Sequence, residues 1–243
     1  MKSEKQNFER AKEVPGFIDY GEVPHHLLGI EERKDEGEFY ARKYGINNDY
    51  FWDNGVLRES DAMDFAGYLH DLDLKEENLS GKNILDIGSG NGGFKRAVEK
   101  TGLAKMCVAL DEGKFNSAGM DVMGKAEKMP FKDESFDLEL SRYSVPVMDA
   151  TNGRFQFIPS VLREMVRVLR PGGDIKIHSI CSYDSTYDEE TISKHQKMKA
   201  VVLEEIERLH DEDPELEFKL EKLVYEDVNY RMRLTIHKKD RKP

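Results

Sequence analysis

The sequence predicts an α/β protein with a doubly wound, mostly parallel sheet of seven strands, a C-terminal antiparallel hairpin and an N-terminal helical lid. Three observations predict this fold class. From residue 83 onward, short apolar runs alternate with helical patterns, as in parallel sheets. A glycine-rich turn follows the first run. Residues 228–237 alternate between apolar and polar side chains, which is the period of a strand.

Residues 1–80 form the predicted N-terminal lid segment, and residues 81–243 form the main domain. The segment is rich in charged and aromatic residues. Residues 61–72 place Met63, Ala66 and Leu69 at helical spacing, which predicts an amphipathic helix. The other residues of the segment are expected to form short helices and loops.

The main domain alternates between strands and helices. About eight residues separate Asp111 from the third strand, too few for a helical crossover, so a turn is expected there. Pro171-Gly172-Gly173 is expected to end a helix before the fifth strand. Residues 218–223 and 228–236 predict the hairpin. We expect further strands at residues 84–87, 105–110, 120–123, 136–140 and 175–180, and helices at 94–100, 157–169 and 191–210.

Composition narrows the class of protein. The net charge is -11 and the chain has two cysteines. An acidic surface repels phosphate backbones, which argues against nucleic acid as a partner. Cysteine number and spacing indicate neither a disulfide framework nor a metal site. No leader sequence and no apolar run of membrane-spanning length is visible, so we expect a cytoplasmic protein.

The glycine-rich turn fits two patterns. Gly88, Gly90 and Gly93 form G-x-G-x-x-G with Asp111 about 20 residues further on, which is typical of a Rossmann-like dinucleotide site. Gly88 and Gly90 also follow Asp86, whose carboxylate ends a buried strand. A buried carboxylate needs polar or cationic partners, which a cationic ligand would supply.

Five segments together resemble the class I S-adenosylmethionine-dependent methyltransferases. The stretch Asp86-x-Gly88-x-Gly90-x-Gly92 is similar to the first motif of that family, and Asp111 matches the acid at the end of the second strand. The other segments that carry the resemblance are Lys125–Phe131, Ser135–Ser141 and Arg163–Gly173.

The resemblance implies S-adenosyl-L-methionine as cofactor and assigns roles around it. Asp111 would accept hydrogen bonds from both ribose hydroxyls, and Asp86 would face the amino group of the methionine portion. Backbone groups of the glycine turn would border the methionine and ribose portions. The implied cofactor-binding residues are Asp86, Gly88, Ser89, Gly90, Asp111, Ala126, Glu127 and Ser141.

Lys125 departs from the family pattern, because the family usually has an acid there that accepts from the adenine amino group. A lysine ammonium has only donors. No motif in the sequence identifies a general base. The candidates for a catalytic role are His178, Tyr143 and Tyr44. Residues 41–47 are similar to the N-terminal element of quinone-type methyltransferases, in which a tyrosine approaches the cofactor.

We therefore expect a methyltransferase that acts on a small-molecule acceptor by in-line methyl transfer. An NAD(P)-dependent oxidoreductase with the same glycine turn, and a non-catalytic cofactor-binding partner subunit, stay open as alternatives. A protein or tRNA methyltransferase is also compatible with the motifs. The segment after the fourth strand, 141–146, lacks the Asp/Asn-Pro-Pro-Tyr run of amino-directed DNA methyltransferases.

Overall fold

A computed structural model of the chain describes residues 17–24, 30–53, 56–113, 119–146, 153–183, 186–225 and 229–241. A 3₁₀ turn, Phe155–Phe157, precedes the fifth helix. The helices and strands in chain order are β1 (Phe17–Pro24), α1 (Ile30–Tyr44), β2 (Phe51–Asp53), β3 (Val56–Arg58), α2 (Asp61–Asp71), α3 (Glu76–Leu79), β4 (Asn83–Ile87), α4 (Gly93–Thr101), β5 (Met106–Asp111), β6 (Val122–Met123), β7 (Phe136–Arg142), α5 (Ile158–Val168), β8 (Leu169–Tyr183), α6 (Glu189–Glu212), β9 (Leu216–Tyr225) and β10 (Asn229–Lys238).

The chain divides into two compact units, each described by itself. We call residues 27–125 the glycine-loop unit and residues 1–26 with 126–243 the hairpin unit.

The sheet of the glycine-loop unit has the strand order β4-β5-β6, with all neighbours parallel. Every residue of β4 is buried, as expected for a strand covered on both faces. In α4, Phe94, Ala97 and Val98 form the buried stripe. The helix ends at Gly102, whose φ of +65° is the left-handed conformation that glycine adopts without a Cβ clash.

Helix α2 confirms the helix predicted at 61–72 but not its amphipathic character, because most of its residues are buried and none is exposed. Ser60 caps it, because the Ser60 side chain accepts a hydrogen bond from the Met63 amide at 3.1 Å. Met63, Ala66 and Leu69 are buried as predicted. Contacts of α2 with α1 and α4 place this helix inside the glycine-loop unit.

The sheet of the hairpin unit has the order β1-β9-β10-β8-β7. Strands β9 and β10 form the predicted antiparallel hairpin, and β7 runs parallel to β8. Arg233 lies opposite Glu221 in the hairpin and its Nε donates to Glu221 Oε2 at 2.8 Å, with both side chains buried. This cross-strand ion pair favours one register of the hairpin.

The predicted fold class is confirmed, with three strands beyond the seven predicted. Parallel strands alternate with helices in both units, and the antiparallel hairpin follows. The additional strands are β1, which pairs in parallel with β9, and β2 and β3, which form a separate antiparallel pair. All three lie in the N-terminal segment, residues 1–80. The sequence analysis expected only short helices and loops in this segment, so that part of the expectation was wrong.

The Pro171-Gly172-Gly173 segment also differs from the prediction, because it lies within β8 and does not precede it. The pairing of β7 with β8 passes from Phe136↔Leu169 to Leu138↔Asp174. This irregularity accommodates the extra residues as a bulge. A Cβ at Gly173 would lie 2.9 Å from the Arg170 carbonyl oxygen and 3.0 Å from that of Asp137, so the close backbone packing of the bulge favours glycine there.

The turn predicted between Asp111 and the third strand falls partly outside the described residues, at 114–118. Residues 112–113 and 119–121 are non-helical. Within the described ranges, no helix combines the length and the apolar character needed to cross a bilayer.

Candidate functional site

Asp86 is fully buried near the end of β4 and receives a hydrogen bond from α2. The Tyr68 hydroxyl donates to Asp86 Oδ1 at 2.7 Å. Both side chains are buried, so this bond is formed away from bulk water. A charge-assisted bond of this kind fixes the direction of the carboxyl group.

Tyr68 stacks on Phe94, which in turn stacks on Phe65. The Tyr68 ring stacks on Phe94 of α4, with centroids 4.1 Å apart and planes 11° apart. Phe65, one turn earlier in α2, stacks on Phe94 at 6.0 Å. The sequence analysis did not identify Tyr68 as a site residue. The signal that could have found it is its position in the aromatic-rich segment, on the same predicted helix as Met63, Ala66 and Leu69.

The glycine turn after β4 requires glycine at several positions. Gly88, Gly90 and Gly92 have φ values of +71°, +57° and +73°, which disfavour any residue with a Cβ. The amides of Gly88 and Ser89 both donate to the Leu110 carbonyl, at 2.8 and 3.2 Å. The turn is therefore tied to the end of the neighbouring strand β5.

One side of this turn is open and the other is covered. A Cβ at Gly90 would meet no atom within 4 Å, whereas a Cβ at Gly92 would lie 2.4 Å from the Gly119 carbonyl oxygen. Arg96 Nη1 donates to the Asn91 carbonyl at 2.5 Å on the covered side. A ligand can therefore approach at Gly90, where the backbone is accessible.

Ser89 provides a buried polar atom within the turn. The residue is 7% exposed, and its Oγ has no hydrogen-bond partner among the described residues. Such an atom is costly to bury unless a ligand or an ordered water satisfies it. The turn thus offers a hydrogen-bonding group that the fold itself does not use.

Asp111 ends β5 beside the turn, with its carboxylate oriented by two backbone amides. Gly90 donates to Oδ2 at 3.1 Å and Gly113 donates to Oδ1 at 2.9 Å. Each carboxylate oxygen has two lone pairs, so each can accept one more hydrogen bond. Asp86 and Asp111 thus lie near the ends of adjacent strands, and the glycine turn follows β4 directly and is hydrogen-bonded to β5.

The remaining residues assigned to the cofactor lie in the hairpin unit. Ala126 is buried and Glu127 is partly exposed. Their loop is held from α5: the Met129 amide donates to Glu164 Oε2 at 2.7 Å, and Arg167 Nη2 donates to the Met129 carbonyl at 3.1 Å. Hydrogen bonding by Arg167, partly opposed by burial, lowers the pKa of Glu164.

Ser141 is fully buried in β7. Its hydroxyl donates to the Val145 carbonyl at 2.9 Å, which fixes the turn that follows the strand. The Ser141 oxygen retains acceptor capacity.

The three candidates for catalysis lie in two different places. His178 of β8 is 1% exposed, and the Tyr143 ring meets its ring edge to face at 4.9 Å. The structure therefore brings His178 and Tyr143 together. Tyr44 lies at the end of α1, where its hydroxyl donates to Glu76 Oε2 at 2.5 Å. Burial and this bond raise the pKa of Tyr44.

No group of three or more His, Cys, Asp or Glu side chains in the described part of the chain could hold a metal ion. Neither Cys107 nor Cys181 forms a disulfide, and both are buried. Burial raises the pKa of Cys107 well above its usual value.

Comparison with known proteins gives a family match over the same region. A profile of the family described as "Methyltransferase domain" matches residues 85–177, which include the glycine turn and Asp111.

Two curated relatives match a similar stretch. The chain is 35% identical over 105 residues to phthiotriol/phenolphthiotriol dimycocerosates methyltransferase 1 of Mycobacterium ulcerans, covering 39% of this chain and 36% of the relative. It is 30% identical over 128 residues to the fatty-acid O-methyltransferase of Mycolicibacterium smegmatis, covering 48% of this chain and 44% of the relative. The matched stretch therefore spans less than half of either relative.

Among solved structures, the chain is similar to a Haemonchus contortus phosphoethanolamine N-methyltransferase, solved with phosphoethanolamine and S-adenosylhomocysteine. The TM-score is 0.38 at 20% identity, covering 66% of this chain and 35% of that chain. A likeness at this score supports no conclusion about function.

Proposed function

We propose that this chain is a class I S-adenosylmethionine-dependent methyltransferase that transfers a methyl group to a small-molecule acceptor. One observation carries the proposal. The family match over residues 85–177 includes a glycine turn that is accessible at Gly90 and lies next to the carboxylate of Asp111.

The residues at this turn fit the cofactor. Asp111 has acceptor capacity for the two ribose hydroxyls. The buried Ser89 hydroxyl and the backbone at Gly90 are suited to the polar methionine portion. Asp86, held by Tyr68, supplies negative charge toward a sulfonium or ammonium group, in accord with the family resemblance.

Three further residues are assigned from the family motifs alone. We assign the adenine side to Ala126 and Glu127, and the methionine amine to Ser141, because these positions match the family motifs. The loop that carries Ala126 is anchored by Glu164 and Arg167, which gives a binding loop a fixed shape. Lys125 lacks an acceptor, so the adenine amino group would need a backbone carbonyl as its partner.

The cofactor, when bound, supplies an electrophilic methyl group on a positively charged sulfur. The protein residues bind and orient the two reactants and exclude water, which is where such an enzyme gains most of its rate. A strong general base is not required if the acceptor is already nucleophilic. His178 and Tyr143 enter the proposal only as candidates for a base where the acceptor must lose a proton.

We propose a lipid-like acceptor with an oxygen nucleophile. Two relatives support this proposal: one is a phthiotriol/phenolphthiotriol dimycocerosates methyltransferase and another is a fatty-acid O-methyltransferase. We further propose a cytoplasmic location, which rests on the sequence expectation.

The direct test is transfer of labelled methyl groups from S-adenosylmethionine into a lipid extract and, separately, into a polar metabolite extract. The wild-type protein should label a product in the lipid extract. Asp111→Ala should reduce the rate by about two orders of magnitude, since positioning of the cofactor is lost. Label only in the polar extract would contradict a lipid-like acceptor.

A matched control is Asp121→Ala. Asp121 also accepts a hydrogen bond from a backbone amide of β5, Ala109 N at 2.9 Å, in the same unit. It belongs to none of the proposed cofactor contacts, so its variant should retain activity. A wild-type protein that binds the cofactor but labels neither extract would indicate the non-catalytic binding subunit.

A further inference from the structure

A histidine and two hydroxyl groups that the proposed cofactor site does not use lie where strand β8 ends. Ser182 is among the last residues of β8, His195 belongs to α6, and Tyr187 lies in the segment between them. We call these three residues the histidine cluster. Ligands of open α/β sheets bind outside the carboxyl ends of the parallel strands. Because β8 runs parallel to β7, the cluster lies at the edge where a ligand is expected.

The His195 ring accepts a hydrogen bond from a strand amide that β7 does not reach. Strand β7 ends at Arg142, which lies opposite His178, four residues before Ser182. The Ser182 amide donates to His195 Nδ1 at 3.2 Å. The Tyr187 ring stacks on the imidazole, with centroids 5.6 Å apart and planes 12° apart. These two contacts fix the position and the rotation of the imidazole ring.

The bond with the Ser182 amide decides which imidazole nitrogen carries the proton. A backbone N–H can only donate, so Nδ1 is the unprotonated nitrogen, and a neutral ring then carries its proton on Nε2. Burial lowers the pKa of His195, and protonation of Nδ1 would break its bond with the amide. The ring is therefore a neutral N–H donor at pH 7, and it is not suited to removing a proton from a substrate.

The cluster contains two donors that the fold does not use. Among the described residues, His195 Nε2 has no hydrogen-bond partner. Ser182 Oγ and Tyr187 Oη lie 3.2 Å apart and bond to each other. That bond uses one of the two hydroxyl protons, and within the described part of the chain neither oxygen has another partner. One N–H and one O–H are therefore available to a ligand.

These donors have limited access to water. His195 is 8% exposed, and Ser182 and Tyr187 are partly exposed. A donor in such a place costs free energy when it has no partner. A ligand that bonds to His195 Nε2 meets an N–H group whose direction is already fixed, so little conformational entropy is lost when it binds.

Neutral donors recognise oxygen atoms that have lone pairs. A carbonyl or carboxylate oxygen has two lone pairs, so it can accept from an N–H or an O–H group. An ammonium group has donors only and cannot bond to the imidazole N–H. The histidine cluster is therefore selective for an oxygen of the carbonyl type.

We propose that the histidine cluster binds a carbonyl or carboxylate oxygen of the methyl acceptor, with His195 Nε2 as one donor and the hydroxyl pair of Ser182 and Tyr187 as the other. This inference rests on the proposed function and narrows its substrate class to acceptors that carry such an oxygen. The cluster binds the acceptor and takes no part in proton transfer.

The test is calorimetric binding of three six-carbon probes: hexanoate, hexanamide and hexylammonium. The full chain is titrated at pH 7, with and without S-adenosylhomocysteine. We expect the wild type to bind hexanoate or hexanamide about tenfold or more tightly than hexylammonium, although the net charge of -11 favours a cation. The ratio of the hexanoate and hexanamide affinities shows whether the cluster prefers a carboxylate or a neutral carbonyl group.

His195→Asn separates ligand binding from support of the strand. The asparagine Oδ1 can still accept from the Ser182 amide, but the shorter side chain has no donor at the position of Nε2. We expect a melting temperature close to that of the wild type and a loss of about tenfold or more in affinity for the preferred probe. Tyr187→Phe keeps the stacked ring and removes one hydroxyl, so it should give a smaller loss.

His210→Asn is the control for this substitution. His210 lies in the same helix, with its Nδ1 3.4 Å from the Leu216 carbonyl oxygen, and it does not belong to the cluster. This variant should bind the probes as the wild type does.

Imidazole ¹⁵N spectra of the wild type give a readout that needs no variant. His195 should have a protonated Nε2 and an unprotonated Nδ1, and the preferred probe should shift the Nε2–H signal. A histidine that only supports the strand would have the same proton position, but its Nε2–H signal would not move when the probe is added.

Four outcomes would overturn the inference: hexylammonium binding as tight as that of the other probes, no binding of hexanoate or hexanamide by the wild type at millimolar concentrations, unchanged probe affinity of a folded His195→Asn, or an unmoved Nε2–H signal. The proposed function fails by a different signal, the absence of S-adenosylhomocysteine binding by the wild type. The two failures are therefore distinguishable in the same set of titrations.

Discussion

The Tyr68 hydroxyl donates a 2.7 Å hydrogen bond to Asp86 Oδ1, and both side chains are buried. This bond joins the N-terminal segment to the strand that precedes the glycine turn. Because the Tyr68 ring stacks on Phe94 of α4, the bond has a fixed direction. It links helix α2 to strand β4, through two residues that are 18 positions apart in the sequence.

Replacement of Tyr68 by phenylalanine tests this link. Tyr68→Phe keeps the stacked ring and removes the donor, which leaves a buried carboxyl group less well satisfied. We expect a loss of about 1–3 kcal/mol in the free energy of unfolding. We also expect S-adenosylhomocysteine affinity to fall by about tenfold.

Tyr44→Phe is the matched control in the same unit. Tyr44 also donates to a carboxylate, Glu76, but that carboxylate is partly exposed. Exposed bonds contribute little, about 0–1 kcal/mol. Chemical denaturation and calorimetry of both variants are the measurements; equal losses would show that burial of Asp86 has no special role.

The close approach of Gly92 to Gly119 gives a second prediction. A Cβ at Gly92 would lie 2.4 Å from the Gly119 carbonyl oxygen, whereas a Cβ at Gly102 would meet nothing within 4 Å. Both glycines have left-handed φ values, so both alanine variants carry backbone strain of about 1–2 kcal/mol.

Only Gly92→Ala adds a clash with rigid backbone, so we expect it to cost about 3 kcal/mol or more in the free energy of unfolding. Urea denaturation of Gly92→Ala and Gly102→Ala measures the difference directly. Equal destabilisation of the two variants would mean that the turn does not depend on this close packing.

Glu139 gives a prediction about pH. It is fully buried in β7, and its carboxyl oxygens have no hydrogen-bond partner among the described residues. Burial raises the pKa of Glu139 well above its usual value of about 4.5, although Lys238 and Arg167 partly oppose the shift.

Because the folded pKa is raised, the contribution of Glu139 to stability is fully present below the unfolded pKa. It is lost as the pH rises toward the folded pKa. Glu139→Gln cannot ionise, so its stability relative to the wild type should increase as the pH rises from 4 to 8. Denaturation across this range measures that difference; a difference independent of pH would show that Glu139 titrates normally.

The elements that sequence predicts well are those set by local patterns. Ile84, Leu85 and Ile87 form a buried strand because they are a short apolar run followed by glycines, and α5 forms where Ile158, Val161 and Leu162 share one face. These signals need no knowledge of the rest of the chain.

The elements that sequence misses depend on distant partners. Strand β1 pairs with β9, near the other end of the chain, and its own stretch contains Gly21 and Pro24, which disfavour a strand assignment. Likewise, Arg231 Nη1 donates to the Tyr143 hydroxyl although the two residues are 88 positions apart. Their spacing in the sequence therefore gave no sign of this contact. Long-range pairing, and the bulges that adjust it, are decided by packing.

Ligand-induced stabilisation by S-adenosylhomocysteine, measured beside NADH on the wild type and Asp111→Ala, tests the central claim most directly. A ligand at about 100 times its dissociation constant adds about 2.7 kcal/mol to the free energy of unfolding. We predict a rise in melting temperature of the wild type with S-adenosylhomocysteine alone, and loss of that rise in Asp111→Ala. Stabilisation by NADH and not by S-adenosylhomocysteine would contradict the account.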